Sequence, residues 1–163
     1  MITTKRLHIR PIVEADDEFI VELFNSKGWI TYIGDRGIRT KEDALNYITT
    51  IKNKSSFQYL VIEKINSSLP MGILSFIKRT DFDFPDLGFA LLPEYQSKGY
   101  AKEACEGYLQ MLLKQHSSIK VLALCLESNK PSLHLLNKLG FIFSHFKKVN
   151  NRQLKVFELM RTN

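Results

Sequence analysis

Asp86-Leu-Gly-Phe-Ala-Leu-Leu-Pro-Glu-Tyr-Gln-Ser-Lys-Gly-Tyr-Ala-Lys-Glu-Ala104 is the stretch whose reading decides the fold. Leu87 to Leu92 is a short apolar run of strand character. Pro93 ends it, because proline cannot donate to a sheet ladder. A tight loop, Glu94 to Lys98, leads to a helix that opens at Gly99. Ala101, Ala104, Cys105, Tyr108, Leu109 and Leu112 recur at helical spacing, and Lys102, Glu103, Glu106 and Gln110 fall on the other side. Strand, glycine loop and helix start are the parts of an anion cradle: backbone N–H groups at a helix N-terminus converge without intrahelical partners. Gly99 leaves room for a phosphate, and Lys98 and Lys102 add positive charge. The loop lacks the Gly-Lys-Ser/Thr of a nucleotide P-loop and the Gly-x-Gly-x-x-Gly of a dinucleotide site.

Outward from that stretch, the chain reads as a mixed α/β domain. Leu7 to Arg10 alternates and stops at Pro11, as a first strand does. Glu14 to Ser26 is predicted to be a helix, with Gly28 just past its end. Trp29 to Arg39 reads as a loop. Thr40 to Asp43 is a capping box with Asp in place of Glu, opening a helix to about Lys52. Phe57–Lys64 and Met71–Lys78 form a predicted hairpin about Asn66-Ser-Ser68. Asp81 to Asp86 is an acidic and aromatic loop. After the Gly99 helix, Ile119 to Leu126 is a near-continuous apolar run, the pattern of a strand covered on both faces. Asn129 caps a short helix that stops at Gly140. Phe141 to Val149 and Arg152 to Met160 close the chain as a hairpin about Asn150-Asn151. The predicted order is β-α-α-β-β-β-α-β-α-β-β.

The 163 residues suit one domain spanning 1–163. No apolar run reaches the ~20 residues of a membrane helix, and the start of the chain has no signal-peptide core, so a cytoplasmic protein without membrane partners is expected. The net charge of +6 fits an anionic ligand. Its basic residues are scattered without interleaved aromatics, which argues against nucleic acid. Cys105 and Cys125 sit in apolar patterns as buried free thiols. The four histidines, His8, His116, His134 and His145, form no metal set with them and pair with no nucleophile, so no metal is expected.

Four stretches carry a resemblance. Gln96-Ser-Lys-Gly99-Tyr-Ala101 resembles the Gln/Arg-x-x-Gly-x-Gly/Ala loop of the GNAT acetyltransferases. Leu87 to Glu94 resembles the family's central strand. Asn129-Lys-Pro-Ser132 with Lys138-Leu-Gly-Phe141 resembles its Asn-x-x-Ser…Lys-x-Gly-Phe signature. Thr31 to Ala44 is similar to the segment between the first two helices of the RimJ/RimL-like branch. The resemblance implies the GNAT fold with splayed central strands, acetyl-coenzyme A as co-substrate, and a primary amine as acceptor. That acceptor is a protein N-terminus or a small amine, and the quaternary state is a monomer or a homodimer.

The same resemblance assigns roles. The pantetheine arm would pair with backbone groups of Phe89, Leu91 and Leu92. The pyrophosphate would sit on the N–H groups of Gln96, Ser97, Lys98, Gly99, Tyr100 and Ala101, with Lys98 and Lys102 nearby. Leu91 N–H would be the oxyanion donor. A tyrosine two residues before the Lys-x-Gly-Phe group protonates the thiolate in many relatives, and here that position is Leu136. Ser132 matches the serine that the RimJ/RimL-like branch places one turn earlier. Asn129 would cap its helix, bind coenzyme A, or do both. Asp86 is the first candidate for a general base, with Glu63 and Glu127 behind it. Trp29, Tyr32 and Arg36 would line the acceptor side, with core packing an equal reading of Trp29. Gly88 permits a bulge or is a packing glycine. The alternative function is a coenzyme A-binding regulatory protein without catalysis.

Overall fold

The computed structural model describes residues 1–162. In chain order its elements are β1 (Ile2–Thr3), β2 (Leu7–Pro11), α1 (Asp17–Asn25), α2 (Lys27–Tyr32), α3 (Lys41–Lys52), β3 (Phe57–Lys64), β4 (Pro70–Ile77) and β5 (Asp86–Leu91). They continue with α4 (Tyr100–Gln115), β6 (Ser118–Cys125), α5 (Lys130–Lys138), β7 (Ile142–Val149) and β8 (Arg152–Thr162). The strands form one mixed sheet in the order β1-β2-β3-β4-β5-β6-β8-β7. Every neighbouring pair is antiparallel except β5 and β6.

The sheet has a core on each face. Leu74, Leu87, Leu91, Val121, Ala123 and Phe157 meet α4 and α5 through Ala104, Tyr108, Leu109 and Leu136. On the other face Tyr59, Val61, Ile73 and Ile77 meet Phe19, Leu23, Phe24, Ala44 and Ile48 of α1 and α3. Such two-sided cover explains why β3 to β6 read as nearly continuous apolar runs.

The local signals worked where a side chain supplies them. Thr40 Oγ1 accepts from Asp43 N–H while the Asp43 carboxylate accepts from Thr40 N–H, so the capping box forms with aspartate. Asn150 and Asn151 have φ of 47° and 62°, the left-handed pair that a tight hairpin turn requires.

Three features differ from the sequence reading, and a fourth decides between its two readings of Gly88. β1 is an added two-residue edge strand. The first helix opens with a 3-10 turn over Glu14–Asp16 before α1 begins. Residues 27–32, read as the start of a loop, form α2, because Ser26 Oγ accepts from Trp29 N–H at 3.4 Å and caps it. Gly28 therefore lies inside a helix instead of ending one. Gly88 sits in an unbroken β4–β5 register, and a Cβ there would come within 2.5 Å of Ser75 Oγ. It is a packing glycine, and the β5 strand has no bulge.

Candidate functional site

The parallel pair β5–β6 is the break in the sheet. The two strands share one bridge, Asp86 with Leu122, supported by Leu122 N–H to the Pro85 carbonyl at 2.9 Å. Beyond it β5 follows β4 through six register pairs and β6 follows β8 through eight, so the strands diverge. The result is a V closed at Asp86 and open toward Leu91. Leu92 N–H donates to Met71 at 2.8 Å. Alternation along a strand then turns the N–H groups of Phe89 and Leu91 away from β4, into the V. Leu92 is off that edge, contrary to expectation: its N–H is held by Met71, and its carbonyl accepts from Tyr95 N–H at 3.0 Å.

At the open end the chain turns into α4. Gln96 N–H donates to the Pro93 carbonyl at 3.2 Å, so this amide does not join the cradle. Its side chain acts instead, with Nε2 donating to the Leu91 carbonyl at 3.0 Å. Ser97 and Gly99 adopt φ of 60° and 79°. These left-handed residues fold 97–99 into a turn directly before the first helical turn of α4. Among the described residues, the N–H groups of 97 and 99–102 have no protein acceptor. Ser97, Lys98 and Lys102 are exposed, and Tyr100 and Ala101 are half-buried. Unpartnered amides that share a helix start suit a diphosphate.

α5 faces the V from β6. Asn129 Oδ1 accepts from Ser132 N–H at 3.3 Å, and Asn129 N–H donates to Leu126 at 3.0 Å. The cap thus fixes Ser132 in the first turn, half-buried. Leu136, where a tyrosine stands in many relatives, is 2% exposed among core side chains.

Asp86 is placed differently from a general base. It lies at the closed end, five residues before Leu91, which is about 16 Å along a strand. A base must come within hydrogen-bond reach of the centre the oxyanion donor serves, so Asp86 and Leu91 cannot share one amine. Arg79 Nε holds its Oδ1 at 2.5 Å. Burial pushes the Asp86 carboxyl up, and Arg79 pulls against it. The pair anchors the apex of the V. Glu63 is likewise taken by Arg10 at 2.6 Å and Glu127 by Lys155 at 2.8 Å.

α2 spans the open end, a feature the sequence reading missed. A Cβ on Gly28 would meet Gln96 Nε2 at 3.8 Å, and Arg152 of the closing hairpin donates to the Thr31 carbonyl at 2.9 Å. The helix therefore touches the turn after β5 at one end and β8 at the other. Trp29 stacks on Phe24 at 3.8 Å and is 4% exposed, so its ring is core. Among the described residues its indole N–H finds no partner. Tyr32 ends α2 half-buried, and Arg36 is exposed in the following loop. Burial, with the Tyr47–Tyr59 hydroxyl contact at 3.2 Å, pushes the Tyr47 phenol well up. No group of three or more His, Cys, Asp or Glu side chains among the described residues could hold a metal ion.

A mixed sheet split between two parallel strands, with an amide-lined turn at its open end, has the shape and the donors to suit an anionic, extended ligand. The sequence profile of the Acetyltransferase (GNAT) domain matches residues 6–142, and the chain belongs to that family. It is 31% identical over 139 residues to YnaD, an uncharacterized N-acetyltransferase of Bacillus subtilis, covering 85% of this chain and 81% of that one. A GNAT-family acetyltransferase from Bacillus anthracis superposes with a TM-score of 0.80 at 24% identity, over 99% of this chain and 97% of the other. Spermidine N-acetyltransferase from Vibrio cholerae, solved with CoA and spermine, superposes with a TM-score of 0.79 at 17% identity over 96% of each chain. The two structural likenesses are likenesses of fold. The chain is an acetyltransferase.

Proposed function

We propose that this chain is a cytoplasmic N-acetyltransferase of the RimJ/RimL-like branch that moves acetyl from acetyl-coenzyme A directly to a primary amine. The observation that carries the proposal is the V itself, with Phe89 and Leu91 N–H groups facing its gap and an amide turn at its mouth. The turn holds the diphosphate, and the β5 edge pairs with the pantetheine arm as an added strand would.

Bound there, acetyl-coenzyme A supplies a thioester to an attacking neutral amine. Leu91 N–H donates to the oxygen as its charge develops, and the Ser132 hydroxyl passes a proton to the leaving thiolate while taking one back from water, so that the serine ends the step neutral. The amine's proton goes to water, since an α-amino group titrates near ~8 and needs only a weak base. Placement of the two reactants is the protein's main contribution.

The favoured acceptor is a protein N-terminus. The segments 27–39 and 147–152, which meet through Arg152 and the Thr31 carbonyl, carry Lys27, Arg36, Arg39, Lys147, Lys148 and Arg152 against one acid, Asp35, which Arg39 already holds. A polyamine would meet like charge there, whereas a peptide brings one amine and the option of acidic side chains. Thiol release with acetyl-coenzyme A, measured against acidic peptides and against spermidine, tests this. Turnover of spermidine alone removes the N-terminal acceptor. Ser132→Ala is expected to keep coenzyme A affinity and lose most of its turnover. A second reading, coenzyme A binding without catalysis, draws on Leu136; binding by calorimetry with no thiol release on any amine would establish it.

A further inference from the structure

Arg6 belongs to none of the motifs above, yet its side chain meets the amide turn directly. Its Nε donates to Glu103 Oε2 at 2.6 Å and its backbone N–H to Glu103 Oε1 at 2.8 Å. Nη1 donates to the Lys98 carbonyl at 3.1 Å. The guanidinium lies 4.4 Å from the centroid of the Tyr100 ring. Nη2 stands 3.5 Å from where a Cβ on Gly99 would be. Thr4 Oγ1 completes the group by donating to Glu103 Oε1 at 2.7 Å. The start of β2 is thereby fastened to the turn and to the first helical turn of α4.

We infer that Arg6 is a positioning residue for the diphosphate, with Glu103 as the post that aims it; the inference rests on the acetyl-coenzyme A reading of the turn. The turn has few backbone ties of its own. Most of its N–H groups lack a protein acceptor, and Ser97, a non-glycine, sits in the left-handed region at a cost of about 1–2 kcal/mol. Glu103 N–H ties the Gly99 carbonyl to α4 at 3.1 Å, and Arg6 ties the Lys98 carbonyl to the start of β2. The guanidinium is planar and forked, so one side chain can grip a carboxylate, a carbonyl and a ring face together. A lysine ammonium offers the charge without that geometry.

Two explanations predict opposite signs. If the Arg6–Glu103 pair acts on an anion only through charge, Glu103 repels it and Glu103→Gln tightens binding. If Glu103 acts by aiming Arg6 and so shaping the turn, Glu103→Gln weakens binding although it removes a negative charge. Calorimetric titration of the full chain with CoA decides between them. Glu103→Gln is expected to weaken CoA on the order of 10-fold, the effect of one charge-assisted hydrogen bond. Arg6→Lys is expected to weaken it as well. The 31P resonances of bound CoA supply a signature that loss of stability alone does not move: the diphosphate signals are expected to shift in both variants, with the 3′-phosphate signal unchanged. Equal or tighter CoA binding by Glu103→Gln, or wild-type affinity in Arg6→Lys, overturns the positioning role. Absence of CoA binding by the wild-type chain overturns the acetyl-coenzyme A reading instead.

Discussion

Gln96 Nε2 donates to the carbonyl of Leu91 at 3.0 Å, so the side chain before the anion turn braces the end of the strand that lines the V. The contact joins the two halves of the proposed site: the strand end assigned to the thioester and the turn assigned to the diphosphate. Gln96→Ala is expected to cost about 1 kcal/mol of stability, the usual net worth of a neutral hydrogen bond. It is also expected to raise the KM for acetyl-coenzyme A, because the turn is then free to drift from the strand. Chemical denaturation and a substrate titration read the two effects separately. An unchanged KM would show that the brace is structural only.

Gly99 precedes α4 with φ of 79°. Gly99→Ala is expected to destabilise the free protein by about 1–2 kcal/mol, the penalty of a Cβ in the left-handed region. Gly99→Asn is expected to cost less, since asparagine visits that region more readily. Space is not the issue, as the nearest atom to a new Cβ is the tip of the Arg6 side chain at 3.5 Å. Equal melting temperatures for the two variants would contradict the backbone argument.

Much of this architecture was legible in the sequence because the signals are local. Thr40 with Asp43, Asn129 with Ser132, and Asn150-Asn151 each set an element boundary through a side chain or a φ angle a few residues away. The V was legible only through resemblance, since strand divergence depends on which partner each edge finds. α2 was missed because Gly28 reads as a stop, while the Ser26 cap that overrides it is a single hydroxyl. Asp86 looked like a free carboxylate at a strand start. Its partner Arg79 comes from the preceding loop, and no spacing rule announces that pairing. The Arg6–Glu103 contact was invisible for the same reason, with the partners 97 positions apart.

Arg10 holds two buried carboxylates at once. Nη2 meets Asp16 Oδ1 at 2.7 Å and Glu63 Oε1 at 2.6 Å, and those acids are 3% and 8% exposed. Asp16 Oδ2 also accepts from Val13 N–H at 2.8 Å, which fixes the turn before α1. Removal of the shared cation leaves two like charges facing each other out of water. Arg10→Ala is therefore expected to destabilise by about 3–5 kcal/mol, the range for breaking a buried pair from one side. Arg10→Ala with Asp16→Asn and Glu63→Gln together is expected to recover part of that loss. Urea denaturation of the single and triple variants checks it, and a single variant within 1 kcal/mol of wild type would refute the burial argument.

Cys125 lies in β6 beside the V, 5% exposed, and Cys105 in α4 is fully buried. Burial pushes the Cys125 thiol up to about 11, with Lys155 pulling slightly the other way, and burial raises Cys105 further. Only the thiolate attacks a disulfide reagent. At pH 8 the Cys125 thiolate is then about one part in a thousand, three pH units below its midpoint. In the native protein neither thiol is expected to titrate rapidly with an aromatic disulfide at pH 8, and both are expected to react within seconds in denaturant. Between pH 8 and 10 the native rate at Cys125 is expected to climb nearly tenfold per unit while the fold persists. One fast equivalent at pH 7–8 would mean an exposed or activated thiol, and would place a nucleophile where the proposed direct transfer has none.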